Sequence, residues 1–235
     1  MFDRSAHLYD LVYAFKDYEA EARDLVALIH ERNSTAHSLL DVACGTGEHL
    51  KILRPTFDVV EGVDAERTML EIARAKLPDV VFTLADMRTF DLGRAFDAVT
   101  CLFSSVGYMP GTDDLNAAIA RMAAHLAPGG VLVVDGWIRP DAWWPGTNLG
   151  AEAATANGVA AARVVRTWRE GDHTRLHMRY LAATADGFEE AEELHVLTLF
   201  TAEEYRAAFA AAGLHAEELP GPMGPDRDRY LGVAP

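Results

Sequence analysis

The sequence predicts an α/β fold: a parallel sheet covered by helices on both faces, with an inserted antiparallel β-sheet. Three observations carry this. Strand-like and helix-like segments alternate from residue 38 to residue 135, the pattern of right-handed βαβ units. Within it, Leu39-Leu40-Asp41-Val42-Ala43-Cys44-Gly45-Thr46-Gly47-Glu48-His49-Leu50 runs apolar residues into an acid, a two-glycine turn and a helix start. That is where such sheets bind nucleotides. After Trp137 the alternation gives way to β-rich stretches joined by Gly171-Asp172 and Asp186-Gly187, which read as hairpin turns.

In order, residues 1–37 read as an N-terminal helical lid. Apolar positions recur three and four apart over 6–13 and 18–30, as in helices with one buried stripe. Tyr9, Tyr13 and Tyr18 could cover a pocket or simply pack with their polar tips outward. The first strand ends at Asp41, followed by a helix over 48–53. A strand over 58–63 precedes a helix over 66–76, stopped by Pro78. Strands follow at 80–84, 96–103 and 130–135, with a helix over 115–126. Ligand residues gather at the carboxyl ends of such strands. Asp41, Asp64, Asp86 and Phe103-Ser104-Ser105 all fall there.

Residues 139–200 read as the insertion, contributing to a substrate pocket. An irregular link holds Pro140, Trp143, Trp144, Pro145 and Gly146, and strands are expected at 159–168, 175–181 and 192–200. Thr201-Ala202-Glu203-Glu204 then matches a capping box and Gly213 closes that helix. The last strands, 215–219 and 229–233, flank a Gly/Pro-rich loop holding Arg227. The Rossmann-like domain thus comprises 38–138 and 201–235.

With 235 residues, 21 basic against 36 acidic, the formal charge is −15. The length suits one large domain or one with an insertion. The charge argues against nucleic acid and anionic membranes, which want basic patches, and an anionic substrate would need a local cluster of arginines. Cys44 and Cys101 have no metal-ligand spacing, nor do His7, His49, His125, His177 and His195, so no metal is expected. The cysteines suit buried thiols of a reduced, cytoplasmic protein. No signal-peptide pattern opens the sequence, and no apolar run nears the ~20 residues of a membrane helix.

Charge also separates two ligands. A dinucleotide brings a pyrophosphate that wants bare amides and a helix dipole. S-adenosylmethionine (SAM) brings a sulfonium and an ammonium, which an acid at the mouth of the loop would attract. Asp41 therefore favours SAM, against the alternative that it caps the turn or helix. Asp64 suits two ribose hydroxyls, because a carboxylate accepts both hydrogen bonds.

Asp41-Val42-Ala43-Cys44-Gly45-Thr46-Gly47, Asp64, Asp86-Met87 and Leu126-Ala127-Pro128-Gly129-Gly130 together resemble the class I SAM-dependent methyltransferases. Leu8-Tyr9-Asp10-Leu11, Lys16-Asp17-Tyr18, Ala85-Asp86-Met87-Arg88, Phe103-Ser104-Ser105-Val106-Gly107-Tyr108, Arg169-Glu170-Gly171 and Thr198-Leu199-Phe200 are similar to the N,N-dimethyltransferases of thymidine-diphosphate (TDP)-linked amino sugars in antibiotic biosynthesis. The resemblance implies a SAM site from Tyr9, Asp41, Ala43, Gly45, Gly47, Asp64, Asp86, Met87 and Phe103, with S-adenosylhomocysteine (SAH) as product. It implies a sugar site near Ser105 and Tyr108, Arg227 at the diphosphate, and a homodimer. The chain departs from that family at Phe2, where relatives tend to carry tyrosine, and at Asp64, often glutamate. It departs also at Asp135-Gly136-Trp137-Ile138, where the family has Glu-Pro-Trp-Trp, and at Tyr108, a histidine in some relatives. The sugar and the position of its amine stay open. So do a methyltransferase of another small metabolite and a non-catalytic SAM-binding protein. A nicotinamide oxidoreductase fits least well.

Methyl transfer to an amine is an in-line displacement in which alignment dominates. A phenol of ordinary pKa, about 10, is a poor base at neutral pH, so Tyr108 is expected to position the amine, with Ser105 beside it. The alternatives are pocket packing for Tyr108 and a turn cap for Ser105. No histidine is expected in the sugar site. An arginine fork matches phosphate oxygens, which favours Arg227 over a surface ion pair with Asp226 or Asp228. Arg163, Arg166, Arg175 and Arg179 could assist or sit on a solvated strand face.

Overall fold

The computed structural model describes residues 5–144 and 146–235. Phe2 and Pro145 lie outside the described residues. Strands β1 (Ser38–Val42), β2 (Val59–Asp64), β3 (Val81–Leu84), β4 (Phe96–Cys101) and β5 (Leu126–Ile138) run parallel. The sheet is completed by β10 (Glu217–Pro220) and β11 (Arg227–Val233), in the order β10-β11-β5-β4-β1-β2-β3. Only the contacts made by β11 and β10 are antiparallel.

Side-chain alternation along these strands supplies two apolar layers. Leu40, Val42, Val99, Cys101, Leu132 and Val134 meet α5 (Thr112–Ala123) and α6 (Ala202–Ala211). Leu39, Ala98, Val131 and Val133 meet α2 (Tyr18–Arg32), α3 (Glu48–Leu53) and α4 (Arg67–Lys76) on the other face. Helix starts follow local chemistry: Asp17 accepts from the Ala20 N–H at 2.9 Å, and Thr201 and Glu204 form the reciprocal capping box. Gly62 sits mid-strand because a Cβ there would lie 2.6 Å from Cys44 Sγ and 2.7 Å from the Phe82 ring.

A second sheet follows, with β6 (Thr147–Ala156), β7 (Val159–Glu170), β8 (His173–Thr184) and β9 (Gly187–Thr198) antiparallel in sequence order. Three strands are expected from the sequence and four are found. Strand β6, Thr-Asn-Leu-Gly-Ala-Glu-Ala-Ala-Thr-Ala, carries little β-branched or aromatic signal and is held by its pairing to β7. The N-terminal 3-10 turn Ala6–Leu8 and α1 (Tyr9–Val12) lie against the inner face of this sheet, where Leu8 and Val12 pack on Ala161, Met178, Tyr180 and Ala182.

Three boundaries differ where backbone geometry overrides composition. Strand β4 stops at Cys101, not 103, because Phe103 and Ser104 turn left-handed, at φ 56° and 62°. Strand β5 begins at Leu126, its pairing with β4 passing through an irregularity beside Gly129 at φ 74°. The helix expected over 115–126 therefore ends earlier, at Ala123, and starts at Thr112 with Asp113 and Asp114 in its first turn. Among the described residues no helix is long and apolar enough to cross a membrane.

Candidate active site

Three cavities adjoin at the carboxyl edge of the main sheet. One of 410 Å³ lies between the two sheets, one of 230 Å³ lies beside β2 and β3, and a small one of 40 Å³ lies beneath the glycine loop. Tyr9 and Ser105 border all three, and Tyr108 borders the two larger ones.

The 230 Å³ cavity is built from loop geometry. After β1 the chain turns left-handed at Ala43 (φ 60°) and Gly45 (φ 56°), a conformation glycine adopts without strain. Asp64, at the end of β2, holds that turn: one carboxylate oxygen accepts the Gly45 N–H and the other the Glu66 N–H, each at 2.8 Å. Burial raises the Asp64 pKa despite these bonds. Val63, Ala65, Met69, Ala85, Met87 and Met109 give the cavity apolar walls. Asp86 lines it with its carboxylate gripped by Arg88 through two bonds, 2.9 and 2.5 Å, which holds its pKa below the ordinary value.

Asp41 is not at the mouth of the loop, where the sequence placed it. It lies on the floor of the 40 Å³ cavity, 2% exposed, accepting from Thr100 Oγ1 at 2.8 Å. The strand carries it down into the sheet, and burial raises its pKa to about 6. Gly47 borders none of the three cavities; at φ 79° it starts α3. Lys16, which sequence reasoning did not select, has a side chain only 2% exposed. It pairs with Glu21 and its Nζ lies 3.3 Å from His49 Nε2 and 4.8 Å from the centre of the Phe103 ring. Its spacing from the loop carries no pattern; only α2 packing on α3 brings it there.

The N-terminal segment is tied onto the loop. Thr46 Oγ1 donates to Asp10 at 2.6 Å and Lys76 Nζ to the same carboxylate at 2.8 Å. Tyr13 stands edge-on to Phe103 with ring centres 5.2 Å apart, and Phe103 N–H donates to Asp135. Asp135 in turn forms a buried pair with Arg229 at 2.7 Å.

The 410 Å³ cavity carries both signs: Arg163 and Arg227 line it together with Glu152 and Asp226. Arg227 opens β11 and is not in a loop; its guanidinium lies 4.2 Å over the Trp137 ring, and its buried Nε has no hydrogen-bond partner among the described residues. Burial lowers its pKa, yet an arginine keeps its charge. Asp228, offered as a surface partner for it, pairs with Arg139. Arg163 stacks on Tyr13 at 4.3 Å and bonds Glu152 at 3.0 Å, leaving a buried Nη1 without a partner among the described residues. Arg166, Arg175 and Arg179 do not line this cavity: Arg166 stacks on Trp168, and Arg175 and Arg179 pair with Glu170 and Glu192.

Ser105 Oγ donates to the Leu102 carbonyl at 3.0 Å, so it caps its turn while bordering every cavity. Tyr108 Oη lies 2.6 Å from Nδ1 of His195 on β9. Strand β9 reaches across from the second sheet and brings His195 behind the tyrosine, a contact sequence reasoning missed, although His195 lines none of the three cavities. Burial pushes the Tyr108 hydroxyl well above its ordinary pKa.

Two chambers meet at Tyr9 and Ser105, one acidic with flat apolar walls and one holding two buried arginines beside Glu152 and Asp226, an arrangement that suits group transfer from a cationic donor to an acceptor with anionic oxygens. A sulfonium nucleoside fits the first. Asp64 retains acceptor capacity beside its two backbone bonds, methionines flank the space for a flat base, and buried Asp41 offers negative charge below the loop.

A family model described as "Methyltransferase domain" matches residues 39–130. The chain is 49% identical over 92% of its length, and 86% of the relative's, to the dTDP-3-amino-3,6-dideoxy-alpha-D-glucopyranose N,N-dimethyltransferase of Streptomyces fradiae. It is 44% identical, over 97% of both chains, to the dTDP-3-amino-3,4,6-trideoxy-alpha-D-glucopyranose N,N-dimethyltransferase of Streptomyces venezuelae. Among solved structures, DesVI of Streptomyces venezuelae superposes with a TM-score of 0.93 at 43% identity, covering 98% of each chain. A SAM-bound amino pentose methyltransferase from Micromonospora echinaspora, of calicheamicin biosynthesis, gives 0.83 at 42% identity, covering 94% of this chain and 92% of that one. The chain belongs to the SAM-dependent N,N-dimethyltransferases of TDP-linked amino sugars.

Proposed function

We propose that this enzyme transfers methyl groups from SAM to the amino group of a TDP-linked amino deoxysugar, twice, releasing SAH. The observation that carries the reading is the pairing, across Tyr9 and Ser105, of the acidic 230 Å³ chamber with a 410 Å³ chamber lined by two buried arginines that each keep an unsatisfied nitrogen among the described residues. Asp64 would take the ribose, Met87 and Asp86 the adenine, and Tyr9, Ala43, Gly45 and Phe103 the methionine end, with Asp41 and Lys16 below. Gly47 contributes through the start of α3. When bound, SAM supplies a methyl carbon already activated by its sulfonium.

The chain's own task is alignment. Ser105 and Tyr108 face the junction and would hold the amine there, where misplacement by about 1 Å costs ~10²-fold in rate. Among the described residues, Arg227 and Arg163 each carry a buried N–H without a partner. An unpaired buried donor is costly, and diphosphate oxygens would satisfy both. The segment before residue 38 would act as the lid, tied to the loop through Asp10, and residues 139–200 as the wall of the sugar pocket. Incubation with SAM and a panel of TDP-linked 3-amino and 4-amino sugars, read by mass, tests the reading; no mass gain on any of them would refute it.

Two further parts belong to the proposal. The free, buried Cys44 and Cys101 suit a cytoplasmic protein. The outer face of the second sheet exposes Val164, Leu181, Leu194 and Val196 beside Arg179 and Glu192, an apolar face with charges of both signs that suits a second copy of itself. A mass of one chain by light scattering would overturn the dimer.

A further inference from the structure

We propose that His195, acting through Tyr108 and braced by Glu193, removes the proton that the substrate's ammonium group must lose before it can be methylated. This rests on the amino-sugar reading above. Tyr108 Oη lies 2.6 Å from His195 Nδ1, His195 Nε2 lies 3.1 Å from Glu193 Oε2, and Ser5 Oγ donates to Glu193 Oε1 at 2.6 Å. The His195 and Glu193 side chains are 0% and 5% exposed. Tyr108 borders both large cavities, and neither His195 nor Glu193 lines them. The row therefore has one end in the site and the other inside the second sheet.

Its direction follows from donor and acceptor capacity. An ionised Glu193 only accepts, so the proton between it and His195 belongs to Nε2. That leaves Nδ1 bare, to accept the Tyr108 O–H. The phenol hydrogen thus points away from the cavity, and an oxygen lone pair remains for an N–H of the amine. A buried polar row of this kind costs free energy that an apolar pair of the same size would not.

The chemistry requires such an acceptor. An alkyl amine near neutral pH is mostly ammonium and has no lone pair for attack. In the relay the ammonium N–H bond breaks with its electron pair left on nitrogen. The proton joins Tyr108 Oη while the phenol's own proton passes to His195 Nδ1, so no free phenolate accumulates. The imidazolium is held against Glu193. After transfer the nitrogen is again a cation, one proton has been released per methyl, and His195 returns that proton through Tyr108 to water when the site opens. The second methylation repeats the step. The titratable and charged groups around the relay are Glu193 on the same strand, Tyr180 on β8, Tyr13 on the N-terminal segment, Arg163 on β7 and Asp64 across the cavity.

The test is the pH dependence of single-turnover methylation in His195→Gln, from about pH 6 to about pH 10, over which the free fraction of an alkyl amine rises by orders of magnitude. A deficit of roughly 10²–10⁴-fold is expected near neutrality, the span of general acid–base catalysis. It should shrink to a few-fold at the alkaline end, with SAH affinity retained. Tyr108→Phe should give a deficit of the same shape, and carries the test if His195→Gln does not fold. A deficit of equal size at every pH would overturn the relay. Nitrogen NMR of the imidazole in the SAH complex of the parent is independent of turnover. A bare Nδ1 and a protonated Nε2 support the relay, and the opposite tautomer overturns it even if no sugar is methylated. A parent that is silent on every sugar, with the expected tautomer, counts against the substrate reading alone.

Discussion

Asp41→Asn should make the unliganded protein's stability less dependent on pH, with the largest gain over the parent above neutrality. The buried Asp41 carboxyl has its pKa raised from 3.8 to about 6 by desolvation. At 1.36 kcal/mol for each tenfold change in acidity, that corresponds to about 3 kcal/mol of differential preference for the protonated form. The sign follows from proton counting. The native state holds this proton more tightly than the unfolded chain, so the contribution is fully present well below about pH 4. It is lost as pH rises toward 6 and stays lost above it. Asparagine has no proton to lose and can still accept from Thr100. Its own fit cancels when the variant is compared with the parent at both about pH 4 and about pH 7.5. Urea melts followed by circular dichroism should therefore show the variant gaining on the parent by about 2.5 kcal/mol between those conditions, because part of the full difference is already lost by about pH 4, or roughly 2–4 °C in Tm per kcal/mol for a chain of this size. A gap that does not change with pH would refute the reasoning. The same charge should draw the SAM cation, so SAM affinity should fall as acid protonates Asp41, and the variant should bind more weakly with a flatter pH dependence.

Asp64→Ala should weaken SAM by roughly 1.5–3 kcal/mol, the range for hydrogen bonds to a charged group; an unchanged Kd by calorimetry would sink the ribose assignment. Arg227→Ala should raise KM for the nucleotide sugar and leave SAM affinity intact. Equal loss of both ligands would make β11's first residue structural. Because Arg227 is buried, salt should screen its contact little, whereas a steep loss of sugar affinity with salt would place the diphosphate at an exposed cation. Gly62→Ala should lower stability by about 1–3 kcal/mol through overpacking against Cys44 and Phe82, checked by thermal melting.

The main sheet is legible because its signals are local. Apolar runs of strand length, the capping box at Thr201 and acids at successive strand ends each lie within a few residues, and helix packing on both faces follows from them. The loop from Asp41 to Gly47 is legible for the same reason. What was missed depends on distance. Tyr108 and His195 are 87 residues apart, and only the register of β8 with β9 turns His195 inward. Lys16 reaches the site through a helix contact that carries no spacing rule. Strand β6 is quiet in composition because its neighbour supplies the pairing. Asp41 was correctly tied to the loop but placed at its mouth, since nothing in a one-dimensional pattern says how deep a strand end lies.

Depth is also what lets a chain of formal charge −15 take a cationic donor and an anionic acceptor side by side. Surface charge cannot supply both at once, because exposed fields are screened and average over about a Debye length. Here negative charge gathers at the ends of the parallel strands, while two buried arginines, one from each sheet, line the neighbouring cavity. The parallel strands end in Asp41, Asp64 and Asp86, all at the donor side. The inner face of β7 and the first residue of β11 bring Arg163 and Arg227 to the acceptor side, over Tyr13 and Trp137. Each arginine stacks on an aromatic face, and Arg163 is bonded to Glu152 as well. One N–H of each is left for a ligand. The inserted sheet is therefore more than a cover: it supplies Arg163, which faces the same cavity as Arg227 of the main sheet.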